Sequence, residues 1–233
     1  MMIKVLRIMT YVAVILLSVP VNGQCKYCNN YEDFLAGRWT KMDTVYAVHH
    51  SKGRQFWGGG NDYTLKTDNR SMNEKLKKEV LVVMQADTLF LNCRNLNYEK
   101  TYFGNGYTRA MRIGERSLLF VNKLIGRNAQ SEQIAAAVMF GAIGASIAGS
   151  SKRKQQVCYV ISCGADKYGQ INIRLIDDDL MNQMISGHED LHEEYYSEKD
   201  VKKRLLANHI VPILEKAGLF DQAKQKTNKK KES

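Results

Sequence analysis

Two kinds of hydrophobic spacing divide this chain. From Glu79 to Arg94 two apolar runs flank Gln85-Ala86-Asp87, and Leu89, Leu91 and Cys93 alternate to one side, the period-two signature of a β-hairpin. Thr44–His50 and Arg116–Lys123 each predict a strand. Tyr102–Ile113 predicts a strand or bulged pair, because Asn105-Gly106 marks a turn. Gln155–Ile176 continues the β pattern: Val157, Tyr159 and Ile161 share one face, Gly164–Gly169 turns, and Ile171, Ile173 and Leu175 share the next face. Before the sheet, Tyr31–Ala36 reads as a short helix closed by Gly37. Ser71 with Glu74 reads as a capping box for a helix through Lys78. Beyond Ile176 the period becomes 3.6. Asp177–Asp179 cap a helix through about Ile185, His188–Tyr196 forms a second, and Glu198–Lys216 forms the last, with Pro212 predicting a kink or an earlier stop. This order predicts an α+β fold, with helices covering one face or end of a mainly antiparallel sheet.

One stretch fits neither pattern. Gln133–Ser151 carries no charge in a protein that is otherwise 25% charged, and the sequence predicts an inserted apolar helix over 131–151. On a helix Ala137, Gly141, Ala145 and Gly149 form a smooth stripe widened by Gly144 and Ala148, opposite a ridge of Met139, Ile143 and Ile147. Glycine inside a helix costs roughly 1 kcal/mol against alanine, so the stripe asks for a close neighbour: the protein's own sheet, another copy, or a membrane. Ile134–Gly149 rises about 24 Å, short of the roughly 30 Å of a hydrocarbon core, which favours burial over spanning.

Composition then bounds the rest. Residues 1–23 carry Lys4 and Arg7, an apolar run from Ile8 to Val19, and Val21 and Gly23 at the −3 and −1 positions, the pattern of a cleaved signal peptide. The expectation is an exported product in the periplasm, outer envelope or extracellular space, formed of one domain over 24–220. Loss of Lys4 and Arg7 takes the net charge from +10 to +8. A basic protein attracts nucleic acid or anionic surfaces, and export excludes the nucleic acid. Residues 221–233 hold five of the lysines against Asp221 and Glu232, a basic tail predicted to be disordered. All five cysteines, Cys25, Cys28, Cys93, Cys158 and Cys163, fall in the mature chain, and export permits disulfides. Cys25-Lys26-Tyr27-Cys28 reads as a local bridge or loose thiols at a flexible N-terminus. Cys158 and Cys163 fall on opposite faces of one strand and cannot pair there, which leaves Cys93 as a partner for one of them.

Candidate chemistry is sparse. The glycines of Ser51–Asp62 lack the Lys-Ser/Thr and following helix of a phosphate loop. His49 and His50 face opposite sides of a strand. His188-Glu189-Asp190-Leu191-His192 matches H-E-x-x-H, in which His188 and His192 bind zinc and Glu189 polarises a water. Gly187 directly before it, and the acidic run around it, favour two surface histidines instead.

Tyr31-Glu32-Asp33-Phe34-Leu35, Phe56-Trp57, Asp87–Arg94, Phe103-Gly104-Asn105-Gly106-Tyr107 and Ile210–Gly218 resemble a family of exported Bacteroidetes proteins of unknown function. The resemblance implies export and one domain and brings no catalytic residue. The leading expectation is a non-catalytic module, without cofactor, that binds a protein, a glycan or an envelope surface, with membrane contact as a further partner. The alternatives are a membrane-active or self-assembling protein acting through Ile134–Gly149, and a zinc hydrolase.

Overall fold

A computed structural model describes residues 25–50, 61–126, 156–163 and 171–220. The expected signal peptide, the glycine loop, the 131–151 stretch expected to form a helix with a small-residue stripe, and the basic tail all lie outside the described residues. No helix among the described residues is long and apolar enough to cross a membrane.

The fold is α+β, built on a ten-stranded, antiparallel sheet. Its main path runs β12-β11-β10-β9-β6-β5-β1-β2. These strands are β12 (Ile171–Leu175), β11 (Gln156–Cys163), β10 (Ser117–Lys123), β9 (Tyr107–Ile113), β6 (Thr88–Asn92), β5 (Val82–Gln85), β1 (Cys25–Cys28) and β2 (Thr40–Met42). A ribbon of β3 (Tyr46–His49) and β4 (Tyr63–Lys66) joins through β4 at Tyr63, opposite Tyr107 of β9. The small pair β7 (Asn97–Tyr98) and β8 (Thr101–Tyr102) stands apart, closed by Glu99 and Lys100 at positive φ.

Side chains opposite one another in antiparallel strands share a face. The register therefore sorts the apolar residues into two sets. One face carries Cys28, Val82, Leu89, Leu91, Ala110, Leu118, Phe120, Val157, Tyr159 and Ile161, all in one buried cluster. That face is covered by α1 (Tyr31–Leu35) through Tyr31 and Phe34, and by Leu96 and Phe103. Phe103 meets Phe120 and Tyr159 edge-on at 5.1 and 4.8 Å, while Phe120 and Tyr159 stack at 5.5 Å. Tyr159 is fully buried, and its hydroxyl accepts the Ile125 amide at 3.0 Å and donates to the Lys123 carbonyl, so the ring adds no unsatisfied group to the core.

The opposite face is covered twice. Over β1, β5 and β6, Val83, Phe90 and Tyr107 pack on Val45, Leu65 and Leu76, the last from α2 (Arg70–Lys78). The α2 carbonyls are finished by the sheet itself: Asn92 Nδ2 donates to Leu76 and Val80, and the Tyr107 hydroxyl donates to Leu76. Over β10 and β11, Leu119, Cys158 and Val160 pack on the C-terminal helices α3 (Asp178–Met184), α4 (Glu189–Ser197) and α6 (Ala207–Lys216). Asp178 and Arg204 tie these helices together. The guanidinium donates to both carboxylate oxygens and to the Glu198 and Lys199 carbonyls, and the Tyr195 hydroxyl donates to Asp178 at 2.8 Å.

Four local expectations are corrected. The CxxC segment is not a flexible terminus but strand β1, paired on both sides. The α2 cap is Asn69, whose Oδ1 accepts the Met72 amide, and Ser71 lies inside the helix. The last helix is two, α5 (Val201–Arg204) and α6, broken at Leu205-Leu206 where Leu206 bridges to Val157 of the sheet. Pro212 does not end α6, which continues to Lys216. The hairpin β5–β6 stands as expected, with Ala86 at its tip at φ +49.

Two outcomes follow. Phe120→Ala removes the centre of the aromatic cluster and is expected to cost about 3–5 kcal/mol in urea unfolding. Arg204 holds the Asp178 carboxyl below the usual carboxylate range, aided by the Tyr195 hydroxyl. A depressed carboxylate contributes stability above its unfolded value and loses it as pH falls through the folded one. Asp178→Asn is therefore expected to lower the urea midpoint at neutral pH, with the gap to wild type narrowing below about pH 4.

Candidate functional site

The ladder between β9 and β10 ends at Ala110 opposite Phe120, and the strands then part. β10 continues beside β11, while β9 continues beside β6 and, at Tyr107, beside β4. Thr108 and Asn122 stand across the opening, and neither is solvated: they are 2% and 8% exposed. Burial of unpaired polar groups costs several kcal/mol in an apolar setting, so the gap has to supply partners. Thr108 Oγ1 donates to the Val121 carbonyl at 3.2 Å, in place of a ladder bond. Asn61 fills the rest. Its Oδ1 accepts from Asn122 Nδ2 at 2.5 Å, its Nδ2 donates to the carbonyls of Gly104 and Asn105, and its amide donates to Asn105.

The same segment anchors the β3–β4 ribbon. His50, 7% exposed, donates its amide to the Asp62 carbonyl at 2.7 Å. Its Nδ1 faces the Asn61 carbonyl at 2.7 Å, which places a proton on Nδ1 and turns Nε2 to Thr64 Oγ1 at 2.5 Å. Gly106 passes beneath at φ +100, and a Cβ there would lie 2.8 Å from the Tyr63 carbonyl oxygen, so only glycine fits. An imidazole on a hydroxyl contains the parts of a base and a nucleophile. Here Nδ1 is spent on backbone and Thr64 belongs to a paired strand, so the arrangement works as a lock at the root of the ribbon.

The ribbon presents a surface of a different kind. All four β3 residues are exposed, including Tyr46 at 51% and Val48 at 42%. Among the described residues β3 pairs only with β4. Because His50 bonds to Asp62 in the β3–β4 register, the even positions Val48 and Tyr46 point their backbone groups at β4, and Ala47 and His49 point theirs outward. No described residue hydrogen-bonds those outward groups. Beside Tyr46 opens a polar cleft of about 500 Å³ lined by Asp43, Thr44, Tyr46, Thr67, Asp68 and Asn69. The Tyr46 hydroxyl reaches Asp68 across it at 3.5 Å.

The residues singled out by sequence pattern are scattered. His188 stands at the N-cap position of α4 without a side-chain capping bond, His192 lies one turn in and leans on Tyr196 at 4.8 Å, and both histidines and Glu189 are exposed. Among the described residues no group of three His, Cys, Asp or Glu stands close enough to hold a metal ion. Cys25, Cys28, Cys93 and Cys158 are free, buried thiols. Cys25 and Cys28 occupy opposite faces of β1, which replaces the local bridge with separate core positions. Cys93 and Cys158 also belong to different clusters, so Cys93 has no partner there, and the side chain of Cys163 lies outside the described residues. Burial pushes the Cys28 thiol up to about 11 and the Cys158 thiol up to about 12, and raises Cys25 and Cys93 as well. These thiols pack as small apolar groups. The sequence marked His50 only as one of an adjacent pair and did not mark Asn61 or Asn122. Asn122 stands at the end of the apolar run Leu118–Val121, and Asn61 follows three glycines.

Residues 26–221 match a family of unknown function, DUF6563. No curated protein and no solved structure matches the chain.

Asn61→Ala leaves Asn122 Nδ2 buried without its partner and is expected to cost about 1–3 kcal/mol. Asn122→Ala in the same background should add little further, a coupling that a double-mutant cycle in urea measures. Gly106→Ala combines a left-handed backbone with a backbone clash. It is expected to lower the melting temperature more than alanine at exposed Gly187, where a Cβ meets nothing within 4 Å.

Proposed function

We propose that this chain, which belongs to the DUF6563 family of unknown function, is an exported, non-catalytic module that binds a protein, glycan or surface of the cell envelope. The observation that carries the binding reading is the β3 edge. An exposed strand with outward N–H and C=O groups, two exposed apolar side chains and a polar cleft at one end has the parts of a docking surface. Sheet edges left in this state are templates for added strands, and soluble proteins usually blunt them with charge or proline. β3 has neither: its sequence is Tyr-Ala-Val-His.

Export rests on the Met1–Gly23 pattern, and resemblance to exported Bacteroidetes proteins agrees with it. The lysines of 221–233 add attraction to anionic lipid or glycan, screened by salt within about 8 Å at physiological ionic strength. Burial of the described thiols suits a module with no redox or nucleophilic task.

The mature chain recovered from Bacteroidetes cells is expected to begin at Gln24 and to leave the cytoplasm. A cytoplasmic product that retains Met1 overturns export. Purified mature chain is expected to co-sediment with isolated envelopes, and the pair Tyr46→Asp with Val48→Lys to weaken that roughly tenfold, equivalent to about 1.4 kcal/mol. Sedimentation unchanged by the pair overturns β3 as the binding surface.

A further inference from the structure

We infer that the cleft beside Tyr46 is a subsite for a neutral saccharide, one sugar ring of an uncharged glycan. The inference rests on the binding reading above and names the ligand class for one part of that surface. Two connections form the cleft. Asp43 and Thr44 lie between β2 and β3, and Thr67, Asp68 and Asn69 lie between β4 and α2, with Tyr46 beside them. Both walls are held from behind. Val45, 1% exposed, anchors the first, and its carbonyl accepts from Gln85 Nε2 at 2.8 Å. Asn73 of α2 anchors the second: its Oδ1 accepts the Thr67 amide at 2.7 Å, and its Nδ2 donates to the Thr67 carbonyl at 2.9 Å. Asn69 Oδ1 accepts the Met72 amide. Walls fixed in this way lose little freedom when a ligand arrives, which lowers the entropy cost of binding.

The groups left over are donors and acceptors in mixture. Asp43 and Asp68 offer carboxylate oxygens, Thr44 a hydroxyl that donates or accepts, and Asn69 Nδ2 two N–H donors. All four residues are exposed. Among the described residues the one hydrogen bond to these groups is the long contact from the Tyr46 hydroxyl to Asp68, at 3.5 Å. Charge favours an ion of neither sign. An anion meets the two carboxylates in the lining, and a cation meets Lys41, Lys66 and Arg70 at neighbouring positions: Lys41 precedes Asp43 by two residues, Lys66 stands opposite Tyr46 in the ladder, and Arg70 follows Asn69. No group of three metal ligands stands together among the described residues. An apolar ligand finds a single apolar surface, the ring of Tyr46.

A sugar ring meets each of these conditions. Its hydroxyls donate and accept at once, so one donates to a carboxylate while its neighbour accepts from Asn69 or Thr44. Its C–H face is apolar enough to lie on one exposed aromatic ring, and tyrosine adds a hydroxyl at the edge of that platform. The volume of about 500 Å³ falls within the range of small-ligand sites.

The test applies the full mature chain to an array of immobilised neutral and acidic oligosaccharides and measures the hits by titration calorimetry. Neutral oligosaccharides are expected to bind, and about 1 M NaCl to change their affinity less than about twofold, because the contacts are not ion pairs. Tyr46→Ala and Asp68→Asn, both at exposed positions, are each expected to keep the wild-type melting curve and to weaken binding about tenfold. Tyr102→Ala, which removes an equally exposed ring from β8, is expected to leave binding unchanged.

An array without a neutral hit, hits confined to acidic glycans, or neutral binding that Tyr46→Ala and Asp68→Asn leave intact overturns the subsite. Envelope sedimentation that still needs Tyr46 and Val48 while every neutral oligosaccharide fails removes the saccharide and leaves the binding reading standing. Saccharide binding that needs Tyr46 and Asp68, with envelope sedimentation indifferent to the Tyr46 and Val48 pair, does the reverse.

Discussion

Backbone and amide groups carried into the interior have to be hydrogen-bonded, and the place where β9 and β10 part is where this chain meets that demand hardest. Two central strands cannot diverge inside a core unless something fills the wedge with donors and acceptors in the right places. Asn61 and Asp62 do this from a distant part of the sequence. Asn61 satisfies Asn122 and two carbonyls of the 104–105 turn, and Asp62 takes the His50 amide. The consequence is architectural. Because the wedge comes from the start of β4, the β3–β4 ribbon is rooted in the sheet by polar bonds and then turns away from it, leaving β3 as an edge.

Around that root the rest of the core is conventional burial on two faces. The Phe103–Phe120–Tyr159 cluster holds one side of the central strands, and the α3–α6 group and the α2 group hold the other. Three separate covers serve one sheet, and each brings its own polar fastening. The Tyr31 hydroxyl reaches the Arg116 and Ile161 carbonyls, Asn92 and Tyr107 finish α2, and Arg204 gathers α3 and the turn before α5. None of these fastenings is surplus: each answers a group that the apolar packing would otherwise strand.

This economy bears on function. Among the described residues the buried histidine and asparagines are hydrogen-bonded within the fold, and the buried thiols pack as small apolar groups. Among the described residues the surface offers no clustered metal ligands. It offers instead an unblunted strand edge and an adjacent polar cleft. Recognition through main-chain bonds, where a sheet edge is used in that way, needs little from side-chain chemistry and leaves no motif in a sequence.

Much of the architecture was legible in the chain because it depends on local periodicity. The β5–β6 hairpin, β10, β11 with its two faces, the Asp177 cap and the change to helical spacing after Ile176 are all short-range patterns. The errors were short-range competitions decided elsewhere. Ser71 lost the cap to Asn69, two residues earlier, whose side chain also faces the Met72 amide. Glu198–Lys216 broke in two because Leu206 is drawn to Val157 of the sheet. Cys25 and Cys28 entered a strand because β2 and β5 were there to pair with it. The exposed edge of β3 was beyond reach for the same reason. A strand's sequence says that it is a strand, and only the tertiary structure decides whether both its edges find partners. The sequence by itself determined which residues alternate and which repeat every turn; the assembled sheet decided where two strands separate, which polar residues must fill the space, and that the backbone groups of Ala47 and His49 point away from β4.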